Sequence, residues 1–191
     1  MIQIINRNTL LLSFLILLNF NLNAAPLPSK IEVKNLISGE KISLTTIDSG
    51  KKATVMVFMS SKCPCSDSHA AVIKNLIEKY KEFAFVIIHS NVNEDESQAK
   101  KYFASLELKA QVLQDEDAKI ADMMKAYKTP HAFIIDNKGE IIYKGGVTDS
   151  NNALKAEKQY LADALEDLQQ NRPLKLSETK ALGCFIAREK D

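Results

Sequence analysis

Three cysteines are the residues of this 191-residue sequence best suited to chemistry. Cys63 and Cys65 are separated only by Pro64, and Cys184 lies close to the C-terminal end. A deprotonated thiol is a nucleophile and a ligand for soft metal ions. Three cysteines are too few for a disulfide scaffold in a chain of this length, and an odd number leaves at least one thiol unpaired or transiently paired. These residues indicate redox or metal chemistry.

The position of Cys63 favours an acidic thiol. Cys63 follows a continuous apolar run, residues 54–59, and precedes a stretch with helical spacing, residues 66–80. Unpaired backbone N–H groups and the helix dipole at a helix N-terminus stabilise a thiolate, which lowers a cysteine pKa from about 8.5 toward 3.5–7.5. Lys62 adds a positive charge if its side chain points inward. The alternative is a buried, inert Cys63, because free cysteine often packs as a small hydrophobe.

The spacing of Cys63 and Cys65 is unfavourable for a disulfide between them. Two residues apart on a helical turn, the side chains project about 200° from each other. A disulfide requires Cβ atoms about 3.8 Å apart, so this bond would need local unwinding. Such a strained bond would be easily reduced.

Composition and charge narrow the class of protein. The chain is 46% hydrophobic and 26% charged, with 25 basic and 24 acidic residues, so it is an ordinary globular sequence with no sign of nucleic-acid binding. Its six glycines form no phosphate-binding loop, and no carboxylates have motif-like spacing. Glycosidase, kinase and nucleotide-binding functions have no support, and the length suits one domain.

The first 24 residues have the pattern of a secretory signal peptide. Arg7 precedes the apolar run of residues 10–18, and the small residues Ala24 and Ala25 follow. The run is shorter than the roughly 20 residues that span a membrane, although an uncleaved anchor is the alternative. We expect cleavage after Ala24 and export to the periplasm or the exterior, which are oxidising compartments.

The elements that must position the cysteines alternate along the chain as β-β-β-α-β-α-β-α-β-β-α. Apolar runs next to amphipathic stretches predict an α/β sandwich with a mixed sheet. Asn137-Lys138-Gly139 is a hairpin signal late in the chain. The predicted strands are residues 31–37, 41–47, 54–59, 83–89, 112–113, 131–136 and 140–144, and the predicted helices are 66–80, 94–106, 118–127 and a long closing helix, 152–170.

Cys63 directly follows one buried strand, and Thr129-Pro130 directly precedes another. This placement resembles the pattern of the thioredoxin superfamily. The sequence is most similar to exported redoxin or thioredoxin-like proteins whose tails end in Gly-Cys-x-Ile, here Gly183 to Ile186. The resemblance implies a thioredoxin-like α/β fold: a central mixed sheet flanked by helices, with an N-terminal β-hairpin and a docked C-terminal tail. It also implies that Cys63 is the nucleophile, beside a cis Thr129–Pro130 bond that shapes a substrate groove.

The sequence departs from the dithiol pattern of that superfamily at one position. Ser66 stands three residues after Cys63, where a dithiol oxidoreductase has its second cysteine. Either Cys65 or Cys184 must then resolve a mixed disulfide on Cys63. We expect the tail to dock and bring Cys184 within reach of the Cys63–Cys65 segment, although a purely structural Cys184 is an equal alternative. The apolar tail residues expected to dock are Leu182, Phe185 and Ile186.

The predicted function is that of an exported thiol–disulfide oxidoreductase with catalytic Cys63, Cys65 and Cys184 and a substrate groove at Thr129 and Pro130. Its partners would be a thiol or disulfide protein or a small thiol, with no nucleic acid, no cofactor, and a membrane only if the signal segment stays uncleaved. The predicted organisation is a signal peptide at 1–24, a thioredoxin-like domain at 26–173 and a tail at 174–191.

The main alternative is a metallochaperone that binds Cu(I) or Zn through Cys63, Cys65 and either His69 or His131. A solvent-facing position is the simpler interpretation of His69, and a packing or groove role that of His131. His89 is expected to be a hydrogen-bonded structural histidine.

A thiol peroxidase is the less favoured alternative. Ser60 and Met56 replace the threonine and proline that precede a peroxidatic cysteine. Arg172 and Arg188, the two arginines beyond the signal segment, lie near the C-terminus.

Overall fold

The computed structural model describes residues 30–45 and 50–188. The predicted signal segment, 1–24, lies outside the described residues. Within them, no helix is both long and apolar enough to span a membrane. The strands are β1 Lys30–Asn35, β2 Lys41–Thr45, β3 Thr54–Phe58, β4 Ala84–His89, β5 Gln111–Gln114, β6 Lys128–Thr129, β7 His131–Ile135, β8 Ile141–Gly145 and β9 Cys184–Phe185; the helices are α1 Pro64–Lys79, α2 Glu96–Ser105, α3 Lys119–Met124 and α4 Tyr160–Gln169.

Seven strands form one mixed sheet in the order β2-β1-β5-β4-β3-β7-β8. The β3–β4 and β4–β5 pairs are parallel, whereas the other pairs in this sheet are antiparallel. The predicted α/β class, with an N-terminal hairpin and a central mixed sheet, is confirmed. A short two-stranded sheet, β6 with β9, carries the docked tail.

The central strands are buried on both faces, as their continuous apolar runs predict. In β3, Val55 and Val57 face a core packed against α1 and α4, and Met56 and Phe58 face a second core built with α3. Alternate side chains of a strand point to opposite faces, so one five-residue run supplies both cores. This double burial holds the C-terminal end of β3 in place, directly before the cysteines.

The prediction of one long closing helix over residues 152–170 is wrong. Residues 153–155 form a short 3-10 helix, and α4 begins only at Tyr160. The Asp149 carboxylate accepts hydrogen bonds from the backbone N–H groups of Glu157 and Lys158, at 2.9 and 3.1 Å, which stabilises a loop instead of a helical turn. Leu154, which the helical pattern puts on the apolar face, is 95% exposed.

The chain after α4 runs back across the domain. The backbone of Lys144 in β8 exchanges hydrogen bonds with Ser177 and Thr179, both at 3.0 Å. Beyond them, β9 pairs antiparallel with β6, and the N–H of Ile186 donates to the carbonyl of Tyr127 at 3.1 Å. The tail is therefore hydrogen-bonded to the body of the domain from β8 to the edge of β6.

Candidate active site

Cys63 is the N-cap residue of α1. Its backbone is extended, with φ −87° and ψ 114°, and Pro64 follows in the first turn of the helix. Proline suits this position because it has no N–H to leave unpaired and its φ is already helical. Cys63 therefore stands at the N-terminus of α1, as the sequence predicted, and the backbone N–H of Ser66 donates a hydrogen bond to its sulfur.

The three cysteines meet at one point of the structure. The Sγ atoms of Cys63 and Cys184 are 2.7 Å apart, although the residues are 121 positions apart in the sequence. The sulfurs of Cys63, Cys65 and Cys184 all lie within 4.8 Å of one another. Cys63 is buried, at 3% exposure, and the other two are half-buried. The structure thus gathers the three predicted cysteines into one cluster.

The environment distinguishes the three thiols. Burial alone would raise the pKa of Cys63, but hydrogen bonds from the Cys184 thiol and from the backbone N–H of Ser66 outweigh it and lower this pKa to about 7. Burial and the neighbouring sulfur of Cys63 raise the pKa of Cys184 to about 12. Burial and the negative charge on Cys63 also raise the pKa of Cys65. At neutral pH, Cys63 is the thiol that carries substantial thiolate.

Thr129 and Pro130 adjoin the same cluster. The peptide bond between them is cis. The Cys63 thiol donates to the Thr129 carbonyl at 3.1 Å, and Thr129 in β6 is the register partner of Cys184 in β9. The groove that the sequence assigns to substrate is therefore occupied by the chain's own tail.

Gly183 allows the tail to lie this close. A Cβ atom on Gly183 would be 2.0 Å from the carbonyl oxygen of Thr129. Ile186 docks as predicted, at 5% exposure, but the prediction that Phe185 docks is wrong, because this residue is 72% exposed. Strand alternation turns Phe185 outward, where the Lys128 Nζ lies 3.2 Å from the ring centroid.

A buried carboxylate, Glu94, organises the loop between β3 and Cys63. It accepts hydrogen bonds from the hydroxyl of Ser60, from the backbone N–H and hydroxyl of Ser61 at 2.8 and 2.5 Å, and from Asn91 at 2.5 Å. Nε2 of His89 lies 3.1 Å away. Burial would raise the pKa of Glu94, but these hydrogen bonds lower it to about 2.

The sequence pattern assigns Glu94 only to a helix start. The N-cap of α2 is instead Asp95, whose carboxylate accepts from the N–H of Gln98 at 2.9 Å. The two adjacent acidic residues therefore have different roles, and no local signal in the sequence distinguishes them. The short polar run Ser60-Ser61 after an apolar strand is the one hint that a partner is required.

The histidines do not join the cysteine cluster as metal ligands. His69 is fully buried, not solvent-facing: its Nδ1 lies 2.7 Å from the carbonyl of Cys65 and its Nε2 lies 2.8 Å from the hydroxyl of Thr148. His131 packs against Tyr127 and Phe133, and burial lowers its pKa to about 4. His89 is a buried, hydrogen-bonded structural histidine, as predicted.

The arginines and Ser60 have partners other than Cys63. Arg172 donates to Asp167, and Arg188 donates to Asp122 and to the carbonyl of Ala126. The hydroxyl of Ser60 donates to Glu94. These contacts give no support to a peroxide-activating role for any of the three.

The amino-acid sequence matches the AhpC/TSA family over residues 23–144. It is also 27% identical, over 108 residues, to the thiol-disulfide oxidoreductase ResA of Bacillus cereus, a match that covers 56% of this chain. The match spans 61% of the length of that curated relative.

Solved structures share the fold. An uncharacterized conserved protein from Geobacillus kaustophilus superposes with a TM-score of 0.77 at 26% identity, covering 91% of this chain and 95% of that one. A secreted disulfide oxidoreductase of Mycobacterium tuberculosis, homologous to E. coli DsbE, gives a TM-score of 0.55 at 18% identity, covering 73% and 95%. StoA from Bacillus subtilis gives 0.52 at 19% identity, covering 62% and 88%. The fold is thioredoxin-like.

Proposed function

The chain belongs to the AhpC/TSA family, and we propose that it is an exported thiol–disulfide oxidoreductase of thioredoxin-like type. The observation that carries this proposal is the contact between Cys63 and Cys184 beside the Thr129–Pro130 bond. A nucleophilic thiol at a helix N-terminus and a second thiol within reach are the two parts that disulfide exchange requires.

The proposed reaction proceeds in two exchanges. The Cys63 thiolate attacks one sulfur of a substrate disulfide, a mixed disulfide forms on Cys63, and the other substrate sulfur leaves as a thiolate. The Cys184 thiol then loses its proton and attacks the Cys63 sulfur. The first substrate sulfur leaves and takes up a proton, and a Cys63–Cys184 disulfide remains. The substrate is reduced by two electrons and the enzyme is oxidised; the reverse sequence oxidises a dithiol.

The acidity of the thiols supports this division of roles. Cys63, with a pKa lowered to about 7, carries the thiolate at neutral pH and is the attacking group. Cys184, with a pKa raised to about 12, stays protonated while Cys63 attacks, so it acts second, as the resolving thiol. Cys65, within 4.8 Å of both, is the alternative resolving thiol.

Access to Cys63 requires movement of the tail. Cys63 is only 3% exposed, and β9 covers the edge of β6 beside it. A substrate chain would replace β9 and pair with the backbone of Thr129, with Pro130 shaping the groove. Residues 174–191 thus act as a displaceable arm on a thioredoxin-like domain, 26–173.

The proposed substrates are a thiol or disulfide protein, or a small thiol. The names of similar proteins agree with this class, since they include a thiol-disulfide oxidoreductase and a secreted disulfide oxidoreductase. Export to the periplasm or the exterior through a cleaved signal peptide at 1–24 agrees with the second name, and it would place the thiols in an oxidising compartment.

Trapping of the mixed disulfide tests the proposal. Reduced Cys184→Ser protein is mixed with oxidised glutathione, quenched with acid, and mapped by mass spectrometry. We expect glutathione on Cys63, whereas wild-type protein should proceed to the Cys63–Cys184 disulfide. Cys63→Ser should give neither product.

An Asn75→Ala variant, altered at an exposed position of the same helix, is the matched control and should behave as wild type. Glutathione found first on Cys65, or a Cys184→Ser protein whose thiols all stay free, would overturn the assignment, whereas a Cys63–Cys65 disulfide would make Cys65 the resolving thiol. Faster oxidation of Cys63 by hydrogen peroxide than by any disulfide would instead favour a peroxidase.

A further inference from the structure

We propose that the reduced protein binds one Cu(I) ion through the three sulfurs of Cys63, Cys65 and Cys184. This site goes beyond the proposed exchange reaction and does not depend on it, because it requires only that the three thiols converge. Their Sγ atoms all lie within 4.8 Å of one another.

The size of the cluster fits trigonal coordination. With metal–sulfur bonds of about 2.3 Å, three sulfurs around one ion are about 4 Å apart. The cluster already approaches this spacing, except that Cys63 and Cys184 must separate from 2.7 Å. Cys184 lies in the two-residue strand β9, so a small shift of the tail opens the contact while Cys63, the N-cap residue of α1, and Cys65, in its first turn, stay in place.

The donor set selects the class of metal. Thiolate sulfur favours Cu(I), whereas carboxylate and carbonyl oxygen favour Mg²⁺, Ca²⁺ and Mn²⁺. Zinc in structural sites takes four ligands. Among the described residues, this group consists of three cysteines with no histidine or carboxylate. His69 was a candidate ligand in the sequence analysis, but its two ring nitrogens lie beside the carbonyl of Cys65 and the hydroxyl of Thr148. Three soft donors without a fourth favour Cu(I) over zinc.

Disulfide formation and metal binding compete for the same sulfurs. A Cys63–Cys184 disulfide removes two of the three ligands, so the oxidised protein should not hold the ion. Binding is therefore restricted to the reduced state, and a bound ion in turn protects the thiols from oxidation.

An anaerobic competition titration tests the site. The full chain, fully reduced, is titrated into Cu(I) held by bicinchoninate, and loss of the chelator's colour reports transfer. We expect one Cu(I) per chain, with three sulfurs at about 2.3 Å in the X-ray absorption spectrum of the wild-type complex. Protein oxidised beforehand should leave the chelator complex intact.

Single-residue variants measure how much each sulfur contributes to Cu(I) binding. Cys65→Ser and Cys184→Ser should each weaken Cu(I) binding at least tenfold and reduce the sulfur count to two, whereas Phe185→Ala, the exposed neighbour of Cys184, should bind as wild type. Failure to compete, unchanged affinity in either serine variant, or a nitrogen ligand in the wild-type spectrum would overturn the proposal. Because trapping with oxidised glutathione is a separate measurement, failure of either idea is recognisable by itself.

Discussion

Gly183→Ala should separate Cys184 from Cys63. The added methyl carbon would lie 2.0 Å from the carbonyl oxygen of Thr129 and 2.8 Å from its carbonyl carbon. Both atoms belong to the backbone of β6, so neither can turn aside as a flexible side chain would. A third contact, 3.3 Å to Cδ of Pro130, is tight as well. Strand β9 must therefore move away from β6 and take Cys184 with it.

The magnitude follows from the cost of inserting one methyl group into a packed contact. Such overpacking costs about 1–3 kcal/mol, and each 1.4 kcal/mol changes an equilibrium tenfold. The cost falls on the docked form alone, because the undocked tail has room for an alanine. The equilibrium constant for forming the Cys63–Cys184 disulfide should therefore fall by about 5- to 150-fold.

Redox titration measures that constant. Protein is equilibrated with mixtures of reduced and oxidised glutathione, free thiols are alkylated, and the intramolecular disulfide is quantified by mass spectrometry. Phe185→Ala is the matched control: it changes a nearby residue of the same tail that is 72% exposed, and it should leave the constant within about twofold. A Gly183→Ala protein with the wild-type constant would refute the argument that the contact with Thr129 positions Cys184.

Three further predictions concern acidity and stability. In the reduced wild type, alkylation by iodoacetamide should occur first at Cys63 and its rate should rise with pH through about 7, because the thiolate is the reacting form; peptide mapping that finds Cys184 modified first would contradict this. Glu94 has a pKa of about 2 in the fold, below its ordinary value of about 4.5. Its charge therefore contributes stability that is present above pH 4.5 and lost as the pH falls toward 2. Glu94→Gln should lower the free energy of unfolding by about 1–3 kcal/mol at pH 7, and urea titrations should show that this free energy falls less steeply in acid than it does in the wild type. If the free energies of the two proteins depended on pH in the same way, the hydrogen bonds to the Glu94 carboxylate would not be the cause. A disulfide joining positions 121 apart should stabilise the oxidised protein by at most about 5 kcal/mol, seen as a higher urea midpoint than in Cys184→Ser, and equal midpoints would count against the bond.

The local spacing of apolar residues was sufficient to predict most strands of the sheet and the position of Cys63 at the N-terminus of a helix. The apolar run of β3 and the helical spacing after Pro64 describe short stretches whose conformation depends mainly on burial periodicity. The same reasoning failed at Leu154, because an apolar residue can satisfy a helical pattern and still face solvent when a polar side chain, here Asp149, stabilises a loop.

Tertiary structure alone decided how the cysteines meet. The sequence did not decide whether Cys65 or Cys184 is the partner of Cys63. The contact between Cys63 and Cys184, which are 121 positions apart, depends on where the tail docks. That docking depends on the edge of β6, on the missing side chain of Gly183 and on the burial of Ile186, three features far from Cys63 in the chain.

The Glu94 network and the burial of His69 have the same origin. Each polar group is stable in the interior only because partners from separate segments satisfy it: Ser60 and Ser61 for Glu94, and Thr148 for His69. Periodicity identifies which residues are apolar, but it carries no information about which distant hydrogen-bonding group will face a buried polar atom. Only the packed arrangement of the chain brings those groups together.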